Sequence, residues 1–303
     1  MKEPGIEILR LENRQISVSL IPALGGKVIS LYDKESAFEC LFQNSRGAYR
    51  QPGLFSNFSE YDASGFDDAF PNIEESVSPV GQERVHFPDH GEIWSTPMHV
   101  CPTEQSVRLS CQGRVLSYSY EKEVALEGRG IRLRYRIINQ SLNPMPCLWT
   151  MHCLVNCDPD TRLLLPAGPH VAENVLAGTD LGEKGRLMPV QSGDMDLTAL
   201  PAPGPEAMRK FYLAGRVSEG KCGFIYPSRK LRLMLNYDVE KLPYLGFWCT
   251  MGGYRGDRNA ALEPSSGYYD SIDTAQNLGT LRCLSPQEEF CFEILLKIEV
   301  TNR

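Results

Sequence analysis

No stretch of the 303 residues approaches the roughly 20 consecutive apolar residues that a membrane-crossing helix needs. Lys and Arg never cluster beyond a scatter such as Arg132, Arg134 and Arg136, and the formal net charge is −7. Phosphate backbones and anionic membranes are gripped by clustered cations, so neither nucleic acid nor a membrane is an expected partner. The ten cysteines form no CxxC pair, and Cys153 with Cys157 lacks a second pair in zinc-finger spacing. Neither GxGxxG, GxxxxGKS nor GxSxG occurs, which removes the usual marks of nucleotide binding and of a serine nucleophile. The opening MKEPGIEILRLEN has no basic segment followed by an apolar one, so no secretory signal is expected. The thiols then read as free cysteines of a reducing cytoplasm, most of them small buried hydrophobes. Helical periodicity is scarce as well. One short helix is expected over 270–277, with Asp270 as N-cap and Asp273 in its first turn.

What the chain does have is period two. Ile16, Val18 and Leu20 alternate with polar residues, as do Ile131, Leu133, Tyr135 and Ile137, and again Leu231, Leu233 and Leu235. The longest alternation is Phe290, Phe292, Ile294, Leu296, Ile298 and Val300. Each run suits an antiparallel strand with one face on a core. The 21 prolines and 26 glycines suit many short strands joined by turns. The expected fold is all-β, a single large antiparallel β-sandwich domain over 1–303.

Three stretches depart from that rhythm and carry side chains with chemistry. In 244–275 an apolar strand ends at Gly252-Gly253, and Ala260-Ala261-Leu262 then delivers Glu263 against Pro264. A carboxylate held so can sit at a pocket rim, where partial burial raises its pKa towards proton-transfer range. A long connection, 43–97, is rich in aromatics and contains Asp67-Asp68 and then Asp89-His90-Gly91-Glu92-Ile93-Trp94. Aromatic faces stack on pyranose C–H faces, and carboxylates and amides bind hydroxyls, so this composition suits a sugar site. A second connection, 149–156, carries His152 inside an apolar run. Each group has a plainer reading: Glu263 as a solvated strand end, His90 as a turn cap, His152 as a core histidine. His86 and His90 are four apart, but Pro88 between them argues against the helix that an HxxxH metal pair requires. Company favours chemistry, because all three tryptophans, Trp94, Trp149 and Trp248, fall within a few positions of His90, His152 or the Glu263 segment. If 67–68 is extended, only one of Asp67 and Asp68 can face the pocket.

At these residues the chain resembles the aldose 1-epimerase (galactose mutarotase) superfamily, closest to a bacterial branch with DHGE and EP segments. The resemblance is carried in order by IPALGGKVISLYDK, GFDDAFPNI, DHGEIWS, PCLWTMHCLVN, LGFWCTMGG and AALEPSSGYYDS. It implies a large β-sandwich and an aldose 1-epimerase that interconverts α and β anomers without a cofactor or metal. The partner implied is a small sugar, and the chain a monomer or homodimer. It further implies Glu263 as general base, His152 as general acid in imidazolium form, and His90 as the second histidine. Asp68 or Asp67, Trp94, Trp248 and Arg258 are the candidates for substrate binding, and Asp238 for the family's sugar-binding aspartate. The family's Asn-Arg segment ahead of its first histidine has no clear counterpart here. Two rival readings stand beside this one. A hexose 6-phosphate or other acidic sugar would need Arg50, Arg84, Arg255 or Arg258 to converge at one rim. A non-catalytic sugar-binding or sensing protein is compatible with the same fold.

Overall fold

Apolar alternation builds two large antiparallel sheets. The computed structural model describes residues 6–43 and 48–301. Residues 1–5, 44–47 and 302–303 lie outside it, the second group within the connection 43–97. Among the described residues one sheet has twelve strands and the other eight, and the strand pairings within them are antiparallel. The middle of the larger sheet runs Lys27–Asp33, Phe66–Ala69, Thr150–Cys153, Arg258–Ser265, Tyr244–Met251 and Met208–Leu213. In the smaller sheet Glu289–Val300, the longest alternation of the sequence, lies between Leu231–Tyr237 and Gly130–Asn139. No described helix is long and apolar enough to cross a membrane.

The two sheets close on an apolar interior dense in aromatics. Trp149 is fully buried there, its indole Nε1 donating to Tyr120 Oη at 2.9 Å, with the Phe292 ring 4.7 Å away. Tyr135 stacks on Phe292 at 4.7 Å. Burying rings of this size supplies most of the driving force for closing the sandwich.

Three local expectations change. The connection 43–97 is not free of regular structure: Phe66–Ala69 enters the larger sheet, and Ser76–Val80 pairs with Glu83–Phe87 as a hairpin. Two adjacent aspartates masked the first of these strands. Asp68 turns inward all the same, because the fully buried Lys122 ammonium meets its Oδ2 at 2.9 Å and Tyr135 donates to its Oδ1 at 2.9 Å. The stretch 149–156 likewise contains two strands, Thr150–Cys153 and Val155–Asn156. The helix runs Ile272–Asn277 and its N-cap is Ser271, whose hydroxyl accepts from the Thr274 N–H. Asp270 is drawn elsewhere, onto Lys210 and Tyr212.

The Lys122–Asp68 pair joins the strand beside His152 to the opposite sheet. Removing one partner of a buried pair leaves an uncompensated charge, so Lys122→Met should lower stability by about 3–5 kcal/mol in denaturant unfolding. A loss below about 1 kcal/mol would show that the pair is not what ties the sheets at this point.

Candidate active site

The same alternation that points Ala260 and Leu262 into the core points Asn259, Ala261 and Glu263 to the opposite face of the larger sheet. On the neighbouring strands Gly246 and Trp248, and then Lys210 and Tyr212, share that face. Register aligns them in two rows, Tyr212–Gly246–Glu263 and Lys210–Trp248–Ala261. The small residues make room between the large ones. A Cβ on Gly246 would stand 3.3 Å from Glu263 Oε2 and 3.2 Å from Tyr212 Cε1. Across the sheet, Trp149, Met151 and Cys153 face the core, which turns His152 outward to this face. A cavity of about 620 Å³, counting its open mouth, lies over these rows and is lined by Glu263, His152, His90, Lys210, Trp248 and Phe58 among others.

His90 arrives from a loop whose path is tightly held. His90 and Gly91 are left-handed, with φ of 57° and 70°. Only glycine fits at position 91, since a Cβ there would stand 2.2 Å from the Phe70 carbonyl oxygen. The His90 N–H donates to the Ile73 carbonyl at 2.6 Å. Trp94 Nε1 donates to the carbonyls of Asp89 and Gly91, both at 3.0 Å. The Phe58 ring stacks on the His90 imidazole at 3.9 Å and meets His152 edge-on at 5.3 Å, while the two imidazoles lie 5.2 Å apart.

The electrostatics follow from burial set against pairing. Glu263 is buried, its Oε2 has no protein partner, and its pKa is pushed up to about 7. Loss of hydration is the main cause; the Lys210 ammonium opposes it and the Asp270 carboxylate adds to it. His152 opens on the cavity, but its Nδ1 is buried without a partner, and burial holds the imidazole well below its usual pKa. The expected imidazolium is therefore not the resting form of His152. Burial would also lower Lys210, but the carboxylates of Asp270 and Glu263 outweigh it, and its pKa is raised. Lys210 Nζ and Tyr212 Oη both donate to Asp270, the second at 2.7 Å.

Of the residues expected from sequence, Glu263, His152, His90 and Trp248 line the cavity together. The other binding candidates stand off its wall. Asp68 is in the inter-sheet core. Asp67, opposite His152 in register, faces the site side of the sheet but is buried in an ion pair with Lys27 at 2.8 Å. Trp94 packs edge-on behind Phe58, where it braces the His90 loop. Arg258 is exposed at the start of its strand and points to the other face from its neighbour Asn259, which lines the cavity. Asp238 serves its own turn, accepting from the Glu240 N–H. Trp149 belongs to the core. Sequence reasoning missed Lys210, Phe58 and the supporting Asp270 and Tyr212. The alternation in Met208–Leu213 could have flagged Lys210 and Tyr212 as one face, whereas nothing local marked Asp270. Among the described residues, no three His, Cys, Asp or Glu side chains converge as a metal cage.

Residues 3–193 match the family model described as Domain of unknown function (DUF5107). No curated protein sequence matches the chain. Solved structures share its fold over nearly the full length. Slr1438 protein from Synechocystis sp. PCC 6803 is 18% identical with a TM-score of 0.78, the alignment covering 99% of this chain and 98% of that one. A putative aldose 1-epimerase from Escherichia coli K12 is 16% identical with a TM-score of 0.73, covering 98% and 100%. A galactose mutarotase-like protein from Lactobacillus casei ATCC 334 is 15% identical with a TM-score of 0.70, covering 97% and 100%. At these identities the likeness establishes a galactose mutarotase-like fold.

The raised Glu263 pKa has a thermodynamic signature. The folded state holds this proton up to about pH 7, whereas an unfolded glutamate releases it near 4.5, so stability from this group is present below 4.5 and lost as pH rises to about 7. His152 acts in the opposite sense, since its depressed pKa makes stability fall as pH drops below 6.5. Subtraction separates the two. The stability of the wild type minus that of Glu263→Gln should decline between pH 4.5 and 7, by up to about 3 kcal/mol, in denaturant titrations at fixed temperature. A flat difference would mean that Glu263 is not desolvated.

Proposed function

The chain belongs to the family described as Domain of unknown function (DUF5107), and we propose that it is a sugar isomerase that exchanges the α and β anomers of an aldose by acid–base ring opening. One observation carries this reading. Glu263 and His152 line the same cavity, and each keeps a buried polar atom with no protein partner. Buried polar atoms are normally satisfied, so an unpartnered carboxylate oxygen and imidazole nitrogen at one cavity suit a ligand that brings hydroxyl groups. Trp248 and Phe58 offer the ring faces that a pyranose stacks on.

The reaction needs one proton shared between two groups. Glu263 as carboxylate takes the proton of the C1 hydroxyl while His152 delivers one to the ring oxygen. The C1–O5 bond opens to the aldehyde, rotation about C1–C2 exposes the other face, and closure returns both protons. Burial favours the neutral forms of both groups, a carboxylic acid at Glu263 and a neutral imidazole at His152. The reactive carboxylate and imidazolium contain the same single proton in another place, so binding requires a transfer and no uptake. The descending limb of the pH profile then belongs to the pair and follows loss of that proton.

A second reading rests on two arginines. Arg50 Nη2 donates to the Glu60 carbonyl at 3.0 Å and Arg255 Nη1 to the Tyr61 carbonyl at 3.1 Å, both in the segment just ahead of Ala63 in the chain, and Arg255 follows Tyr254; Ala63 and Tyr254 line the cavity. Arg255 Nη2 is buried without a partner. A phosphate or carboxylate on the sugar could be held there. Arg84 is engaged elsewhere, donating to the Val77 carbonyl of its own hairpin, and Arg258 is off the cavity.

The test is NMR exchange between anomers over free and phosphorylated aldoses. Glu263→Gln and His152→Asn should each slow exchange by roughly 10²–10⁴-fold with the fold intact. Faster exchange of phosphorylated aldoses would favour the arginine reading. Binding without exchange in the wild type would replace the enzyme by a sugar-binding protein. In the wild type, exchange should also fall as pH rises through about 7, where Glu263 loses its proton. A rate that rises across that range would remove the one-proton mechanism.

A further inference from the structure

The carboxylate of Asp89 joins two elements of the cavity wall. Its Oδ1 lies 2.7 Å from His90 Nδ1, and its Oδ2 accepts the Phe58 N–H at 2.9 Å. Phe58 in turn stacks on His90 at an interplanar angle of 12°. The backbone on either side is already fixed by the Trp94 indole and by the Ile73 carbonyl. What remains free at His90 is the rotation of the imidazole and the choice of nitrogen that carries the proton, and Asp89 acts on both.

We propose that Asp89 is a positioning residue that sets the tautomer of His90 and so makes its Nε2 a hydrogen-bond acceptor for a sugar hydroxyl. An ionised carboxylate only accepts; burial works against ionisation of Asp89, but the His90 ring beside it and then the Phe58 N–H outweigh burial and hold its pKa below the usual value. Whenever the imidazole is neutral, its single proton therefore resides on Nδ1. The nitrogen left for the cavity is Nε2, with its lone pair. A ring oxygen has no proton to give, so a neutral His90 in this tautomer pairs with a hydroxyl of the sugar and not with its ring oxygen. This assigns a polarity to one contact of the sugar site and leaves delivery of a proton to the ring oxygen to His152. The same carboxylate keeps Phe58 over the imidazole, so the stacking wall and the acceptor are set together. The inference rests on the sugar-isomerase reading for its ligand but not for its tautomer.

Asp89→Asn separates shape from proton placement. The amide oxygen can still accept the Phe58 N–H, while the amide NH₂ donates to His90 Nδ1 and drives the ring proton to Nε2. Long-range ¹H–¹⁵N spectra, with His90 assigned through His90→Gln, should show an Nδ1–H ring in the wild type and an Nε2–H ring in Asp89→Asn. Titration with D-glucose and D-galactose should show affinity weakened by at least about tenfold in Asp89→Asn for the sugar that binds. An Nε2–H ring in the wild type overturns the proposal, and so does an unchanged tautomer with unchanged affinity in the variant. The wild-type spectrum needs no variant to fold. If the wild type binds sugar but exchanges no anomers, the isomerase reading fails while the tautomer and affinity still decide the role of Asp89.

Discussion

Antiparallel alternation in one large sheet is the constraint on which the rest depends. The residues that reach the cavity from strands do so because core residues alternate with them along the chain. Met151 and Cys153 turn His152 outward; Ala260 and Leu262 turn Asn259 and Glu263 outward; Phe211 and Phe247 leave Lys210, Tyr212, Gly246 and Trp248 on the opposite face. A slip of one residue in any of these strands would exchange site for core. The register against the next strand then decides which outward residues lie side by side, and it aligns Glu263 with Gly246 and Tyr212.

Around the larger sheet, burial and pairing divide the ionisable groups into two sets. Lys27 with Asp67 on the site face and Lys122 with Asp68 in the inter-sheet core are buried but matched, the half-buried Lys210 is matched with Asp270, and each pair secures a strand or loop. Glu263 is buried and His152 half-buried, and each has one buried atom without a hydrogen-bond partner. Desolvation without a partner moves both towards their neutral forms, the direction that places a carboxyl group near neutrality.

The loops complete what the strands begin. The Asp270 carbonyl accepts from Ile73 and Glu74, and the Ile73 carbonyl accepts from His90, so one backbone path links the loop that holds Lys210 to the loop that carries the second histidine. The Glu92 carboxylate, buried and bonded to Tyr118 Oη at 2.8 Å and to the N–H groups of Arg114 and Val115, ties the far end of the His90 loop to the smaller sheet. Loop geometry here is over-determined by buried hydrogen bonds, which is how a loop can present a side chain as firmly as a strand does.

Read by itself, the sequence determined the all-β class and the longest strands, and it singled out Glu263, His152, His90 and Trp248, which line one cavity, because period two and unusual residue neighbours are local properties. It also determined that Asp67 and Asp68 must face opposite ways. Only the tertiary structure decided which way, since that depends on Lys122 and Lys27, which are distant in sequence. The same holds for Lys210, a routine strand lysine until Asp270 and Glu263 are brought beside it from some 50–60 positions away. Trp94 read as a binding residue by proximity along the chain and proved to be a brace, and Trp149, a neighbour of His152 in the chain, is a core ring, because an indole with a buried N–H goes where its acceptor is. The protonation of His152 was likewise a tertiary outcome: residue type sets the ordinary pKa, and desolvation by groups far off in sequence sets the actual one.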